Sequence, residues 1–180
     1  GNLDEAFTGQ AVTLTLTDEV DVSRGDILVL AKDNVSQSNH LHAHLVWMTE
    51  KALVPGAEYW FKFASKLVTG EIEAISCRID VNTQEQTSVN QLQLNDIAIV
   101  DLLLTQPVVA DAYKQNRATG AFIVIDRLTN LTVGAGMVID QLESKTVAQT
   151  NYSEFELELN ALIRKHFPHW GAADLGRLLK

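Results

Sequence analysis

The 180-residue chain holds a single cysteine, Cys77. With no partner for an internal disulfide, it fits a reducing, cytoplasmic setting, and its apolar neighbours suggest a buried thiol rather than a reactive one. Long apolar runs are missing as well. Nothing approaches the roughly 20 residues that a membrane-spanning helix needs, and the first residues lack the charged-then-apolar pattern of a secretory signal. Basic runs are also absent. Lys plus Arg number 14 against 23 Asp plus Glu, a formal net charge of -9. A surface this acidic repels phosphate backbones, so neither nucleic acid nor a membrane is an expected partner. No Gly-Lys pair occurs, which removes the phosphate loop Gly-x-x-x-x-Gly-Lys-Ser/Thr. Asp-x-x-Gly and Asn-Lys-x-Asp are missing too.

What is present is mostly β. The chain is 46% hydrophobic, enough to pack one full domain or slightly more. Val12, Leu14 and Leu16 alternate with polar residues, the period of a half-buried strand, and Ile27 to Leu30 follows a turn at Gly25. "AKDNVSQSNH" is polar and aperiodic and reads as a linker. Then come "AHLVWM", "EYWFKFAS", "LVTGEIEAISCRIDV", "DIAIVDLLLTQPVV", "GAFIVID" and "LTVGAGMVID", punctuated by Pro55-Gly56 and Asn95-Asp96. Short strands at this spacing with no helix between them predict an antiparallel barrel or sandwich over 41–140. A second polar linker covers 141–152.

"FIVIDRLTNLTVGAGMVID" (122–140) contains a Gly-x-Gly at Gly134 and Gly136. A dinucleotide fingerprint needs strand, Gly-x-Gly-x-x-Gly, then helix. Here Met137-Val138-Ile139 continues as strand and no third glycine follows, so the glycines are expected in the last strand, where the backbone bends or packs closely.

From 153 to 180 the period changes. Phe155, Leu159, Leu162 and Ile163 share one helical face. Ser153 and Glu156 form a capping box, and Arg164, Lys165 and His166 suit the C-terminal dipole. Pro168 argues against continuation, and "AADLGRLL" is read as a short second helix. Phe155, Leu159, Leu162, Ile163, Phe167 and Trp170 are the anchors by which the helix docks, either on this chain's own barrel or on a partner.

Other chemistry is sparse. His40, His42 and His44 share one face of a strand and are candidate metal ligands, but no fourth ligand is visible, and a solvated strand start is the simpler reading. His166 and His169 flank Pro168 with no nucleophile beside them. Asp126-Arg127 reads as a turn ion pair. Tyr113, Asn116, Arg117 and Thr119 form a polar loop, solvated or in contact with another domain.

Three stretches carry a resemblance. "GAFIVIDR" followed by "TVGAGMV", the strand of 96–110 before it, and "VSRGDIL" (22–28) resemble the third and second domains of elongation-factor-type translation GTPases. "EAFTGQAVTLTLTDEVDVSRGDILV", "VWMTEKALVPGAEY", "QNRATGAFIVIDRLTNLTVGAGMV" and "FELELNALIRKHFPHWGA" are similar to the large, GTP-hydrolysing subunits of bacterial sulfate adenylyltransferases (ATP sulfurylases). The resemblance implies an elongation-factor-type β-barrel as domain three. It is preceded by the tail of a second barrel (1–32) and a linker (33–40), and followed by a helical tail. It further implies a heterodimer with a small nucleotidyltransferase subunit, which makes adenylyl sulfate and pyrophosphate from ATP and sulfate in sulfate assimilation. GTP and Mg would belong to a GTPase domain upstream. With no cofactor-binding or catalytic motif of its own, the chain is expected to be a structural or regulatory C-terminal fragment. Two other readings stand beside this one: a translation-type barrel contacting RNA or protein, and a metal module built on the histidines.

Overall fold

A computed structural model describes residues 3–33, 35–145 and 154–166. Seven strands follow in order: β1 Ser38–Trp47, β2 Glu58–Phe63, β3 Lys66–Ile79, β4 Gln86–Thr87, β5 Ile97–Val108, β6 Ala121–Asp126 and β7 Thr132–Gln141, with one helix, α1 Glu154–His166. All pairings are antiparallel. The sheet runs β2-β6-β7-β1-β5-β3-β4, and β2 pairs again with β3, so six strands close on themselves with β4 appended to β3. This is the expected antiparallel barrel.

The alternation seen in the sequence determines what faces inward. Leu41, Ala43, Leu45 and Trp47 of β1 are buried, as are Ala98, Val100, Leu102 and Leu104 of β5. Phe61, Ile72 and Val124 meet them from the other walls. Trp47 lies edge-on to Tyr59 at 5.7 Å between ring centroids, and its indole N–H donates to the Lys51 carbonyl at 2.7 Å. A buried Trp needs such a partner for its one donor. Leu53 and Leu92 exchange backbone hydrogen bonds at 2.9 and 3.0 Å, which pulls the long connections in under the core.

Gly134 and Gly136 lie in β7, on its inward face. A Cβ on Gly136 would collide with the Phe122 ring and stand 2.7 Å from the His44 carbonyl. Close packing therefore demands glycine there, and Met137 to Asp140 continue as strand.

The flanks depart from the sequence reading. Among the described residues of 3–33 there is no strand, and Val12, Leu14 and Leu16 are exposed. Their alternation finds no neighbouring strand to hydrogen-bond, and a pattern without a partner does not make a ladder. The boundary at 40 also moves. Ser38, Asn39 and His40 belong to β1 and are buried, because the segment after β7 folds back over them. β4, only two residues long, left no pattern to read. In α1 the last turn carries Arg164, Lys165 and His166 as expected, while Ser153 lies outside the described residues, as does "AADLGRLL".

Candidate interaction surfaces

Gly134 and Gly136 form no phosphate cradle. Their Cβ directions are filled by protein atoms of β1 and β6 rather than opening to a ligand. The N-terminal turn does form a cleft with the barrel, of about 310 Å³, lined among others by Gly25, Ile27, Val29, Phe63, Lys66 and Val108. Gly25 has φ +109°, and a Cβ there would stand 3.3 Å from Lys66 Cβ, so the turn sits tightly on the β2–β3 hairpin. Two of the charged groups lining it, Asp26 and Lys66, are engaged. The Ser23 amide donates to Asp26 Oδ2 at 2.7 Å, and Lys66 Nζ donates to the Pro107 carbonyl at 2.8 Å.

The three histidines share the outer face of β1, as their spacing required, but their side chains take separate partners. His40 is buried, with Nδ1 3.2 Å from the Glu143 carbonyl and Nε2 3.1 Å from Glu73 Oε2. His42 Nδ1 lies 2.6 Å from Asp101 Oδ1. Partial burial, with the charges of His42 and Lys114, holds the His44 pKa below its ordinary value. Among the described residues no group of three or more His, Cys, Asp or Glu is placed to hold a metal ion. The metal module has no geometric support. Each ring sits on its own rung of the sheet, beside a carboxylate or an aliphatic neighbour.

A polar clasp at the start of β1 was invisible in the sequence. Ser38 Oγ donates to the Leu142 carbonyl at 2.8 Å. The Leu142 amide donates to the His40 carbonyl at 2.9 Å. Asn39 Nδ2 donates to the Lys145 carbonyl at 2.8 Å, and the Lys145 amide donates to Asn39 Oδ1 at 3.0 Å. Lys145 Nζ reaches both oxygens of Glu73, at 2.7 and 2.6 Å. Serine, asparagine and histidine before an apolar run look like linker. Residues far along the chain, Glu73, Leu104 and 142–145, reveal why they are buried.

Two loops close on themselves. Asp111 accepts from Thr119 Oγ1 at 2.6 Å and from Asn116 Nδ2 at 3.3 Å, while the Arg117 guanidinium lies 5.9 Å over the Tyr113 ring. In the β6–β7 turn the expected Asp126-Arg127 pair does not form. Asp126 instead accepts from the Leu128 and Thr129 amides at 3.0 and 2.8 Å. Those bonds, with the Thr129 hydroxyl, hold its carboxyl below the usual range. Arg127 turns away to Glu58, with its guanidinium 5.6 Å over the Trp60 ring. Adjacent residues in this turn point in different directions, so sequence adjacency misled.

Of the docking anchors, Leu159 and Leu162 are exposed, 43% and 54%, and Ile163 is half-buried. The side chain of Phe155, and residues Phe167, His169 and Trp170, lie outside the described residues. His166 is exposed at the end of α1.

The closed barrel is matched by a family model described as GTP-eEF1A C-terminal domain-like, over residues 40–139. The chain belongs to that family. Its barrel is also similar in fold to Sup35 in complex with GDP, with a TM-score of 0.57, 16% identity, and coverage of 63% of this chain and 28% of that one. Among curated proteins, the chain is 76% identical over 179 residues to sulfate adenylyltransferase subunit 1 of Cellvibrio japonicus, covering 99% of this chain and 38% of that protein. It is 62% identical to subunit 1 of Teredinibacter turnerae, covering 98% of this chain and 38% of that protein. The chain thus spans little more than a third of the length of the relatives it matches. Among the described residues no helix of this elongation-factor-type domain is long and apolar enough to cross a membrane.

Proposed function

We propose that this chain is the C-terminal region of the GTP-hydrolysing subunit of a sulfate adenylyltransferase, and that it acts there as a structural and regulatory barrel rather than a catalytic one. The identity of 76% across 179 residues to a subunit 1 carries this reading. In it, residues 1–32 are the tail of a preceding barrel. The many exposed apolar side chains between Leu3 and Leu30 then face strands that this chain does not itself supply. The partner is a small nucleotidyltransferase subunit, and the assembly works in the cytoplasm, making adenylyl sulfate and pyrophosphate from ATP and sulfate. GTP and Mg do not fit the residues present. The chain has no Gly-Lys pair, and its Gly-x-Gly is packed inside a strand. Both ligands therefore belong to a domain outside it, and no chemical step runs through these residues.

The translation-factor alternative is weakened by the net charge of -9, which opposes RNA binding. The test is direct. The purified chain is incubated with Mg-GTP, or with ATP and sulfate, and phosphate and pyrophosphate release are followed. The expected result is no turnover above buffer. Hydrolysis that persists through rigorous purification would overturn the proposal.

A further inference from the structure

We infer that the clasp at the start of β1 is a strap with two states, closed and open. Closed, it ties the stretch that enters the barrel, residues 36–40, to the stretch that leaves it, residues 141–145. Displacing either one releases the other while the barrel stays folded. The inference is independent of the function proposed above.

The strap begins where the backbone ladder stops. β1 and β7 pair from Trp47 with Gly134 to Leu41 with Gln141. Among the described residues, the bond from the Leu142 amide to the His40 carbonyl is the last between their backbones. Beyond it the two stretches are joined through side chains. The Asn39 carboxamide stands in for a further rung. It donates to the Lys145 carbonyl and accepts from the Lys145 amide, the two bonds that a facing backbone residue exchanges in an antiparallel pair. Ser38 Oγ donates to the Leu142 carbonyl and accepts from the His40 amide at 3.0 Å, so one hydroxyl serves both stretches. Gln141 Nε2 donates to the carbonyls of Ala110 at 2.7 Å and Ser36 at 3.4 Å. His40 Nδ1 faces the Glu143 carbonyl.

These bonds favour opening together over opening singly. Ser38, Asn39 and His40 are buried. Losing one partner strands a buried polar group, which costs more than the net gain from the bond. Once the leaving stretch lifts, water reaches the whole set at once. The Lys145–Glu73 ion pair contributes less, because both side chains are partly exposed. The strap is set apart on its other side as well, where the β1–β5 register shifts between Ser38 and His40. A stretch held by side chains at the end of a ladder can open at a lower free energy than the barrel itself.

Both flanks bias this one equilibrium. A coupling between two places needs a shared element with two arrangements, and it acts equally in both directions. A pull on 36–40 that breaks the Ser38 and Asn39 bonds frees Leu142 and Lys145. A pull on 141–145 removes the partners of Ser38 and Asn39. The strap therefore passes a displacement of the chain before the barrel to the chain after it.

Native-state hydrogen exchange of the full chain tests this, with one variant on each side read on the opposite stretch. Ser38→Ala removes partners of the His40 amide and the Leu142 carbonyl, and the Lys145 amide is read. Lys145→Pro removes the amide from which Asn39 accepts, and the His40 amide is read. Each amide should exchange at least about tenfold faster, the factor expected when a buried polar group is stranded. Amides of 43–45 should stay better protected than either, because the barrel is still closed. A third variant, Val124→Ala, thins the core on β6, where Val124 is fully buried. It should speed exchange at 43–45 and leave the His40 and Lys145 amides unchanged. Acceleration confined to the mutated side would overturn the coupling. Acceleration of the His40 and Lys145 amides by Val124→Ala would overturn the separate opening of the strap.

Discussion

Leu14 and Leu45 sit in segments with the same written pattern, apolar and polar residues in alternation. Leu45 is 0% exposed and Leu14 is 65% exposed. The difference lies outside both segments. β1 has β5 on one side and β7 on the other, and a full second layer of inward-facing side chains across the barrel. Residues 12–16 have neither a ladder partner nor a layer to pack against among the described residues. Alternation states which face of a strand would be apolar. Neighbouring strands decide whether that face is buried.

The contrast can be broken most forcefully in the core. Phe61→Ala, at a residue that is 0% exposed, should lower stability in urea denaturation by about 3–5 kcal/mol. Leu14→Ala should stay within about 0.5 kcal/mol of the parent, as for a surface change. Equal losses would mean that the N-terminal segment is packed after all. A smaller effect is expected from Gly136→Val. The added side chain meets the Phe122 ring and the His44 carbonyl, and such overpacking should cost about 1–3 kcal/mol, read from the urea midpoint. The smallest effect concerns pH. Partial burial, then the charges of His42 and Lys114, hold the His44 pKa below 6.5, so the folded state favours the neutral ring. That contribution is complete above about pH 6.5, is lost as the pH falls below this value and the unfolded chain takes up the proton, and levels off below the folded-state pKa. His44→Gln should flatten this part of the stability profile. Asp80 and Asp126 act in a lower window. Turn amides hold their carboxyls below 3.8, so their contribution is present above that pH and lost as the pH falls through the depressed values. A profile of His44→Gln that keeps the parent's slope between pH 5 and 7 would show that His44 does not titrate as assigned.

How much of this was legible in the sequence follows from how local the determining interaction is. The six barrel strands were readable because each carries its own period, and the turns at Gly56, Asn95 and Asn130 because positive φ selects for those residue types. Closure was readable from two glycines in a β-branched run, although the reason, Phe122 against Gly136, is nonlocal. The clasp was not readable, since Ser38, Asn39 and His40 are held by residues far along the chain: 142–145, Leu104 and Glu73. The Asp126-Arg127 pair failed for the opposite reason. Adjacency suggested a contact, but turn amides were nearer to one side chain and the β2 carboxylate to the other. The histidine face was correctly placed, yet among the described residues it brings no three metal-ligating side chains together, because a shared face does not bring side chains to a common point.

The central claim is that the fold resides in the barrel and that the strand-like stretches 12–16 and 27–30 have no ladder partner among the described residues. Native-state hydrogen exchange tests it residue by residue. Amides of 41–45 and 100–104 should exchange only through global unfolding, with a free energy matching the urea value. Amides of 12–16 and 27–30 should exchange close to the rate of an unstructured peptide. Protection of 12–16 at the level of the barrel strands would contradict the account.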